Sequence, residues 1–467
     1  MCWRFSILPF LVTVVATAPA GCALTGGKRG PSYPDGPAGF IAIDGSSPMP
    51  VPTRYGQNYW CWNGYGNAMP KVRSLIAPLK LDLIRAGGYN NDAGRSSGTY
   101  GTDPFDEKQI DAFVTYAAAA GAEPIIQVPL INSYKRHGGT ADPADAAALV
   151  AYANLTKGYH VKYWEIGNEP DLYAGNNGPA DIPGYSLPRF IADFKAFAAA
   201  MKAVDPSIRI LGPELSWKYY PNRPKDSEDD WLTPFLEQCK GAYDVVAVHR
   251  YPFDAAGCTI QNAMDDVDRY IPFVQAIKDL VASEAPGVPV AITEANITYD
   301  GDPAHSVYPA SPQTIYAAIW VADTLSAARE EGLWSQHFWS LSEGWTLGFI
   351  DPVAARPLPE YYGFQMVSSA MGPVELASSA PAGFSVYASR TAANDATVAV
   401  VLNKHDTNDA ETFVFTGMDG TPTRNFTATF PAYSITTVVF PDGGGAPTVY
   451  RYSTSEAYAG SAPVRVR

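Results

Sequence analysis

The chain has 467 residues, with 33 Lys and Arg against 47 Asp and Glu, a formal net charge of −14. That balance excludes a protein whose main task is gripping nucleic-acid phosphates, which needs a basic stripe. With 46% hydrophobic, 12% aromatic and only 17% charged residues, global disorder is excluded as well.

Residues 1–21 read as a signal peptide: a basic start at Arg4, a short apolar run from Phe5 to Ala18, then small residues. The run is too short for a comfortable membrane span. Two cleavage readings compete. Ala18-Pro19-Ala20 fits a signal-peptidase site, whereas Ala20-Gly21-Cys22 resembles a lipobox that would leave a lipid anchor on Cys22. The expected location is therefore secreted or cell-surface, with membrane contact only through that anchor. Residues 22–39, rich in Gly and Pro, read as a flexible tether.

From Tyr55 to Met371 short apolar runs alternate with amphipathic ones. The predicted strands are Tyr55–Trp60, Leu81–Ala86, Glu123–Val128, Val161–Gly167, Ile208–Leu211, Tyr243–Val248, Val288–Thr293 and Ser335–Trp339. Between them lie helical segments, Phe105–Ala120, Ala144–Thr156, Leu187–Val204, Met264–Ser283 and Pro312–Glu331; in Leu187–Val204 the large apolar residues recur mostly at steps of three and four, the helical period. The pattern predicts an α/β fold, a (β/α)8 TIM barrel over residues 40–372. A doubly wound open sheet is the alternative, but no Gly-rich fingerprint follows the first strand. Residues 373–442 alternate apolar and polar positions between turns, which predicts a small antiparallel β-sandwich. Phe40–Asp44 is a candidate extra strand of it, and 443–467 is expected to be a disordered tail. All ten Trp lie at or before Trp345, so a Trp platform for glycans on the sandwich is disfavoured.

Five cysteines occur; Cys239 and Cys258 are the pair available for a disulfide, with two free thiols as the alternative. The six histidines are scattered without metal-ligand spacing, so neither metal nor cofactor is expected.

The chemistry concentrates at two strand ends. Trp164-Glu165-Ile166-Gly167-Asn168-Glu169-Pro170 closes the fourth barrel strand, and Ile292-Thr293-Glu294-Ala295-Asn296 closes the seventh. Strand C-termini form the active face of such barrels, so Glu169 and Glu294 point across one mouth. Asn168-Glu169-Pro170 with Glu294 resembles clan A of the glycoside hydrolases. Within the clan, Trp164 to Asp171 and Gly212-Pro213 are similar to the bacterial endoglucanases and xyloglucanases. Glu165 to Tyr173 and Thr293 to Asn296 also resemble the β-glucuronidase and heparanase-like family, and the β-xylosidase and arabinofuranosidase families share the skeleton.

The resemblance implies retaining hydrolysis by double displacement, with Glu294 as nucleophile and Glu169 as general acid, then base. Glu169 must begin protonated, which negative charge on Glu294 favours. It implies substrate contacts from Asn168 to the sugar 2-hydroxyl, from Arg85, from His249 and Tyr251, and from Trp339 as a stacking floor. Structural readings compete: Arg85 as a charge balance in the barrel, His249 as a satisfied core histidine, Trp339 as core. Glu165, four residues deeper than Glu169, reads as a buried structural partner. Glu214, ending the fifth strand, and Glu343, in the loop after the eighth, are candidates for substrate contact, with solvated loop residues as the plainer expectation. Trp60, Trp62, Tyr89, Asn90, Trp217, Tyr219, Tyr220 and Trp345 are candidates for lining sugar subsites. The expected function is an exported endo-β-glucanase or xyloglucanase acting on polysaccharide. A β-glucuronidase-like or arabinofuranosidase-like exo-glycosidase is the enzymatic alternative. The glucuronidase reading wants a cation from Arg95, Lys135 or Arg136. A non-catalytic glycan-binding lipoprotein and a purely structural surface protein are the rivals of another kind.

Overall fold

The structure, a computed structural model, describes residues 40–59, 69–94, 106–175, 180–301, 309–343, 346–416 and 422–467. The signal-peptide and tether readings lie outside these residues.

Eight parallel strands close into a barrel: β2 (Arg54–Tyr59), β3 (Leu83–Ala86), β4 (Glu123–Val128), β5 (Tyr163–Ile166), β6 (Arg209–Leu215), β7 (Val245–Arg250), β8 (Val290–Ala295) and β9 (Ser335–Phe338). β9 pairs back onto β2, Ser335 beside Arg54, so no edge is left open. The open-sheet alternative is therefore excluded. The strand period of two explains the interior. Leu83, Ile125, Tyr163, Ala247 and Ala291 form an apolar layer low in the barrel. Two residues on, and one layer higher, stand Arg85, Gln127, Glu165, His249 and Thr293, all without solvent exposure. The sequence thus writes an apolar floor beneath a polar mouth.

The outer helices are amphipathic where they face solvent. Leu187–Val204 buries Phe190, Ile191, Phe194, Phe197, Ala198 and Met201 and exposes the residues between them. Glu107–Ala120 is opened by a capping box, Asp106 with Gln109. Ile315–Glu330 differs: its residues are buried almost throughout, because it is covered by the barrel on one side and the second domain on the other.

That second domain is one nine-stranded sheet. β1 (Phe40–Pro50) precedes the barrel, and the small hairpin β10 (Ile350–Asp351) and β11 (Arg356–Pro357) follows it. Then come β12 (Val374–Ser379), β13 (Phe384–Arg390), β14 (Ala396–Asn403), β15 (Asp409–Thr416), β16 (Pro422–Phe430), β17 (Ser434–Pro441), β18 (Thr448–Ser453) and β19 (Val464–Arg465). β1 lies between β12 and β15, antiparallel to the first and parallel to the second. The sheet folds over itself: Phe413 of β15 meets Phe440 of β17 at 5.2 Å between ring centres, although these strands are not neighbours. The result is a sandwich-like core built on Ile41, Ile43, Ala388, Val401, Phe413 and Phe440.

The expectation of a disordered tail over 443–467 is corrected. β18 pairs with β17 from Ser434–Ser453 to Val439–Thr448. A helix, Thr454–Ala459, follows behind a Ser453–Glu456 capping box. The composition, rich in Gly, Ser and Tyr, hid two anchors: Val449 enters the sandwich core and Tyr452 packs on Tyr362 of the barrel. Without β18, the backbone edge of β17 would be left unpaired. Among the described residues Cys239 and Cys258 are both free and buried, and burial pushes each thiol up to about 12.

The two domains are joined by polar contacts around the helix Ile315–Glu330. Arg329 donates to Glu375 at 2.7 Å, to the Tyr55 hydroxyl and to the Gly372 carbonyl. Asp323 accepts from Tyr387 and pairs with Lys404. Arg329→Met would strand the Glu375 carboxylate in the joint, at a cost of about 3–5 kcal/mol. Urea unfolding should show that loss, whereas Val353→Ser, at a site 89% exposed, should leave the midpoint unchanged.

Candidate active site

Arg85 stands at the centre of the barrel mouth with no exposed side-chain surface. Its Nε donates to Glu165 Oε2 at 2.6 Å, and its Nη2 to Asn168 Oδ1 at 2.9 Å. Its Nη1 donates to Asn58 Oδ1 at 2.8 Å and to Glu294 Oε2 at 3.0 Å. One planar guanidinium therefore ties together the ends of β2, β3, β5 and β8. Asn58, unremarked in the sequence, also donates to the carbonyls of Thr293 and Phe338, which locks β2 to β8 and β9. Burial pushes the Glu165 carboxyl up, against the pull of Arg85.

Glu169 sits just past β5 in the left-handed region, φ 51°, with its N–H on the Glu214 carbonyl at 3.0 Å. Gly167 makes the preceding turn. Its φ is +71°, and a Cβ there would lie 2.5 Å from the Tyr173 hydroxyl. Pro170 then starts a short helical turn, and Asp171 collects the N–H groups of Ser216, Trp217 and Lys218. Asp92 holds the other side of the turn, accepting from Asn168 N and from Tyr173. Burial pushes Asp92 up to about 6 in spite of these donors.

Glu294 faces Glu169 across the mouth. Its Oε1 accepts from the Tyr251 hydroxyl at 2.6 Å and its Oε2 from Arg85. Oxygens of Glu169 and Glu294 and a ring nitrogen of His249 lie within 4.8 Å of one another. Three such atoms have the chemistry to ligate a cation. Here Arg85 already places a positive charge 3.0 Å from Glu294, which opposes a second one.

His249 Nδ1 lies 3.0 Å from Glu169 Oε1 and 3.9 Å from Glu294 Oε2, and Nε2 lies 3.2 Å from Glu214 Oε2. Burial by itself would lower the imidazole, but Glu294, Glu169 and Glu214 outweigh it and raise it to about 10. Glu214 is not the solvated loop residue expected. It is fully buried, because β6 continues through Gly212-Pro213 as far as Leu215. The pairing of β6 with β7 slips between Pro213 and Leu215, and Glu214 takes φ 57°. That bulge turns a side chain inward that strict alternation would have sent out. Thr293 Oγ1 donates to Glu214 at 2.6 Å.

All seven residues singled out from the sequence therefore line one mouth, but their contacts sort them. Arg85 and His249 touch carboxylates and have no exposed side-chain surface. Asn168 gives its amide oxygen to Arg85. Trp339 is half-buried, donates Nε1 to Glu343 at 3.0 Å and lies over Gly88. A Cβ on Gly88, φ +96°, would come within 2.4 Å of the indole. Glu343 is likewise corrected from solvated loop to buried partner, and burial pushes its carboxyl up to about 8. Of the aromatic candidates, Tyr219 is core, its hydroxyl on the His249 carbonyl, and Trp217 lies under the Arg223 guanidinium at 3.7 Å. Tyr89 donates to Asp181, to which Lys135 is also bound, while Arg136 pairs with Asp145. Trp60, Trp62, Arg95 and Trp345 lie outside the described residues. A cavity of about 1330 Å³ runs from Tyr251 past Ser216, Trp217, Tyr220 and Arg223 along the side of the barrel.

A closed (β/α)8 barrel carrying two facing carboxylates and a folded-over β-domain is an architecture that glycoside hydrolases share. The sequence model of glycosyl hydrolases family 39 matches residues 155–346, the stretch that holds Glu169, Glu214, His249 and Glu294. An intracellular exo-α-(1→5)-L-arabinofuranosidase of Acetivibrio thermocellus is 24% identical over 179 residues, 38% of this chain and 33% of that protein. Endoglucanase A of Paenibacillus lautus is 24% identical over 302 residues, 54% of this chain and 41% of that protein. The chain thus spans between about a third and a half of the length of the curated relatives it matches. Among solved structures, a xyloglucanase of glycoside hydrolase family 44 from Paenibacillus polymyxa superposes with a TM-score of 0.63 at 15% identity, covering 86% of this chain and 100% of that one. These likenesses agree with the clan A resemblance and with the barrel-plus-sandwich fold.

The raised imidazole makes stability depend on pH. In the unfolded chain His249 titrates near 6.5, and in the folded protein near 10. Its proton therefore stabilises the fold fully below about pH 6.5, and that contribution is lost as pH rises through 10. Denaturation of wild type and His249→Gln between pH 6 and 10 should show a stability gap that is largest at the acid end and shrinks steadily upward.

Proposed function

We propose that the protein is a retaining glycoside hydrolase, with Glu294 as nucleophile and Glu169 as general acid and base. One observation carries the reading: the two carboxylates face each other with oxygens inside 4.8 Å. Oxygens that close fit a retaining pair, whose carboxyl groups stand about 5–5.5 Å apart, the carboxyl groups of inverting pairs being about 6.5–9.5 Å apart to admit a water. Tyr251 and Arg85 hold the Glu294 carboxylate from two sides and fix its direction of attack. Glu169 keeps 18% of its side chain exposed and so can meet a leaving oxygen entering from solvent. In the first step Glu294 bonds the anomeric carbon while Glu169 protonates the departing oxygen. In the second, Glu169 takes a proton from water, whose oxygen displaces Glu294 with net retention.

The substrate class we favour is a β-linked glucan or xyloglucan cut internally. The preference rests on the similarity of Trp164 to Asp171 and Gly212-Pro213 to the endoglucanases and xyloglucanases, and on a curated relative that carries the name endoglucanase A. An α-L-arabinofuranosidase is the second reading, favoured by two curated relatives that carry that name. The glucuronidase reading loses two of its three cations, since Lys135 and Arg136 are each taken by an aspartate. On the N-terminal apolar run and small residues we further propose export, to the medium or to a lipid anchor at Cys22.

Hydrolysis of polysaccharides and aryl glycosides tests these assignments. Glu294→Ala and Glu169→Ala should each lose at least about 10³-fold in kcat/KM on the best substrate. Activity of Glu294→Ala equal to wild type would remove it as nucleophile. Proton NMR of the first-formed product should show the anomer of the substrate, and an inverted anomer would exclude double displacement.

A further inference from the structure

We propose that Glu214 is a positioning residue for the acid/base step: through the His249 imidazole it holds one proton against Glu169, so that Glu169 and His249 share the proton the leaving group needs. This rests on the reading of Glu169 as acid/base and goes beyond it, because it adds a third carboxylate that never touches substrate.

The geometry is a chain. Glu214 Oε2 lies 3.2 Å from His249 Nε2, and His249 Nδ1 lies 3.0 Å from Glu169 Oε1. Glu294, at 3.9 Å from Nδ1, is the more distant carboxylate. Glu214 has no solvent exposure, and Thr293 Oγ1 fixes the same oxygen that faces the imidazole. Among the described residues its second oxygen, Oε1, is buried without a hydrogen-bond partner. A carboxylate buried this way favours a proton on Nε2, which aims Nδ1 at Glu169. The other charged or titratable groups around His249 are Glu294 on β8, Glu165 on β5, Arg85 on β3, His337 on β9 and Tyr251 beyond β7. Burial lowers His337 to about 3, so it stays neutral and does not compete for the proton.

The proton count closes over the cycle. At rest one proton lies in the contact between Glu169 and Nδ1, and Nε2–H points to Glu214. When the glycosidic bond breaks and Glu294 bonds the anomeric carbon, that proton goes to the leaving oxygen. The site is left with ionised Glu169 and neutral His249, still donating to Glu214. Water then returns a proton to the pair as its oxygen displaces Glu294.

Glu214→Gln removes the charge and keeps the shape. The high-pH limb of kcat/KM should move down by about one pH unit, the scale on which a near carboxylate shifts a neighbour. The loss should be greater for a 4-nitrophenyl than for a 2,4-dinitrophenyl glycoside, whose leaving group needs less protonation. Independently of activity, nitrogen-15 NMR of labelled histidine, with His249 assigned through His249→Gln, should show its midpoint falling by a similar amount. Glu214→Asp, which keeps the charge, should restore much of both shifts, and it serves if Glu214→Gln folds poorly. An unmoved limb and an unmoved His249 midpoint, with equal loss on both leaving groups, would overturn the proposal. A midpoint that falls in a protein without glycosidase activity would sink the functional reading and support the proton linkage.

Discussion

A guanidinium buried at the centre of a barrel costs several kcal/mol in lost hydration unless nearly every N–H finds a partner. Arg85 meets that demand with Glu165, Asn58, Asn168 and Glu294, drawn from strand ends that are far apart in the chain. The demand runs in both directions. Glu165 and Glu294 are themselves buried, and without Arg85 the mouth would hold uncompensated negative charge. The barrel mouth therefore has one compact solution, and the catalytic geometry proposed for Glu169 and Glu294 hangs from it.

The same arrangement divides labour between the two facing carboxylates. Glu294 is clamped by a cation and a hydroxyl, which suits a group that must stay ionised and aimed. Glu169 is held through a contact to an imidazole and keeps access to solvent, which suits a group that must exchange a proton. Their difference comes from neighbours, since both are glutamates at strand ends. A second buried arginine, Arg329, does for the domain joint what Arg85 does for the mouth. It fixes the sandwich against the helix Ile315–Glu330, which packs in turn behind the barrel strands.

Much of this was legible from residues alone. Alternation of period two and period 3.6 located the eight barrel strands to within a residue or two at most ends, and the change of texture after Gly372 located the sheet domain. Glu169 and Glu294 stood out because each closes an apolar strand. Arg85 and His249 were recognisable as members of the site, but not the direction in which they point. A sequence shows that a polar side chain faces inward, not which of several inward carboxylates it will meet. Glu214 reads as a solvated strand-end residue because Gly212-Pro213 looks like the end of a strand, whereas pairing with β7 carries β6 onward through a bulge. The tail reads as disordered because its two anchors, Val449 and Tyr452, are dispersed among polar residues and small ones.

What the sequence by itself determined was the alternation of elements, the apolar floor below a polar layer, and the placement of two glutamates at strand ends. Those are local properties, fixed by the period of side chains along a strand. What only the tertiary structure decided was pairing: Arg85 with Glu294, His249 with Glu169 and Glu214, β18 with β17, Arg329 with Glu375. Each of those joins groups brought together by closure of the barrel or docking of the sheet. Buried charge and unpaired backbone must find partners wherever the fold supplies them, and distance along the chain does not say where that is.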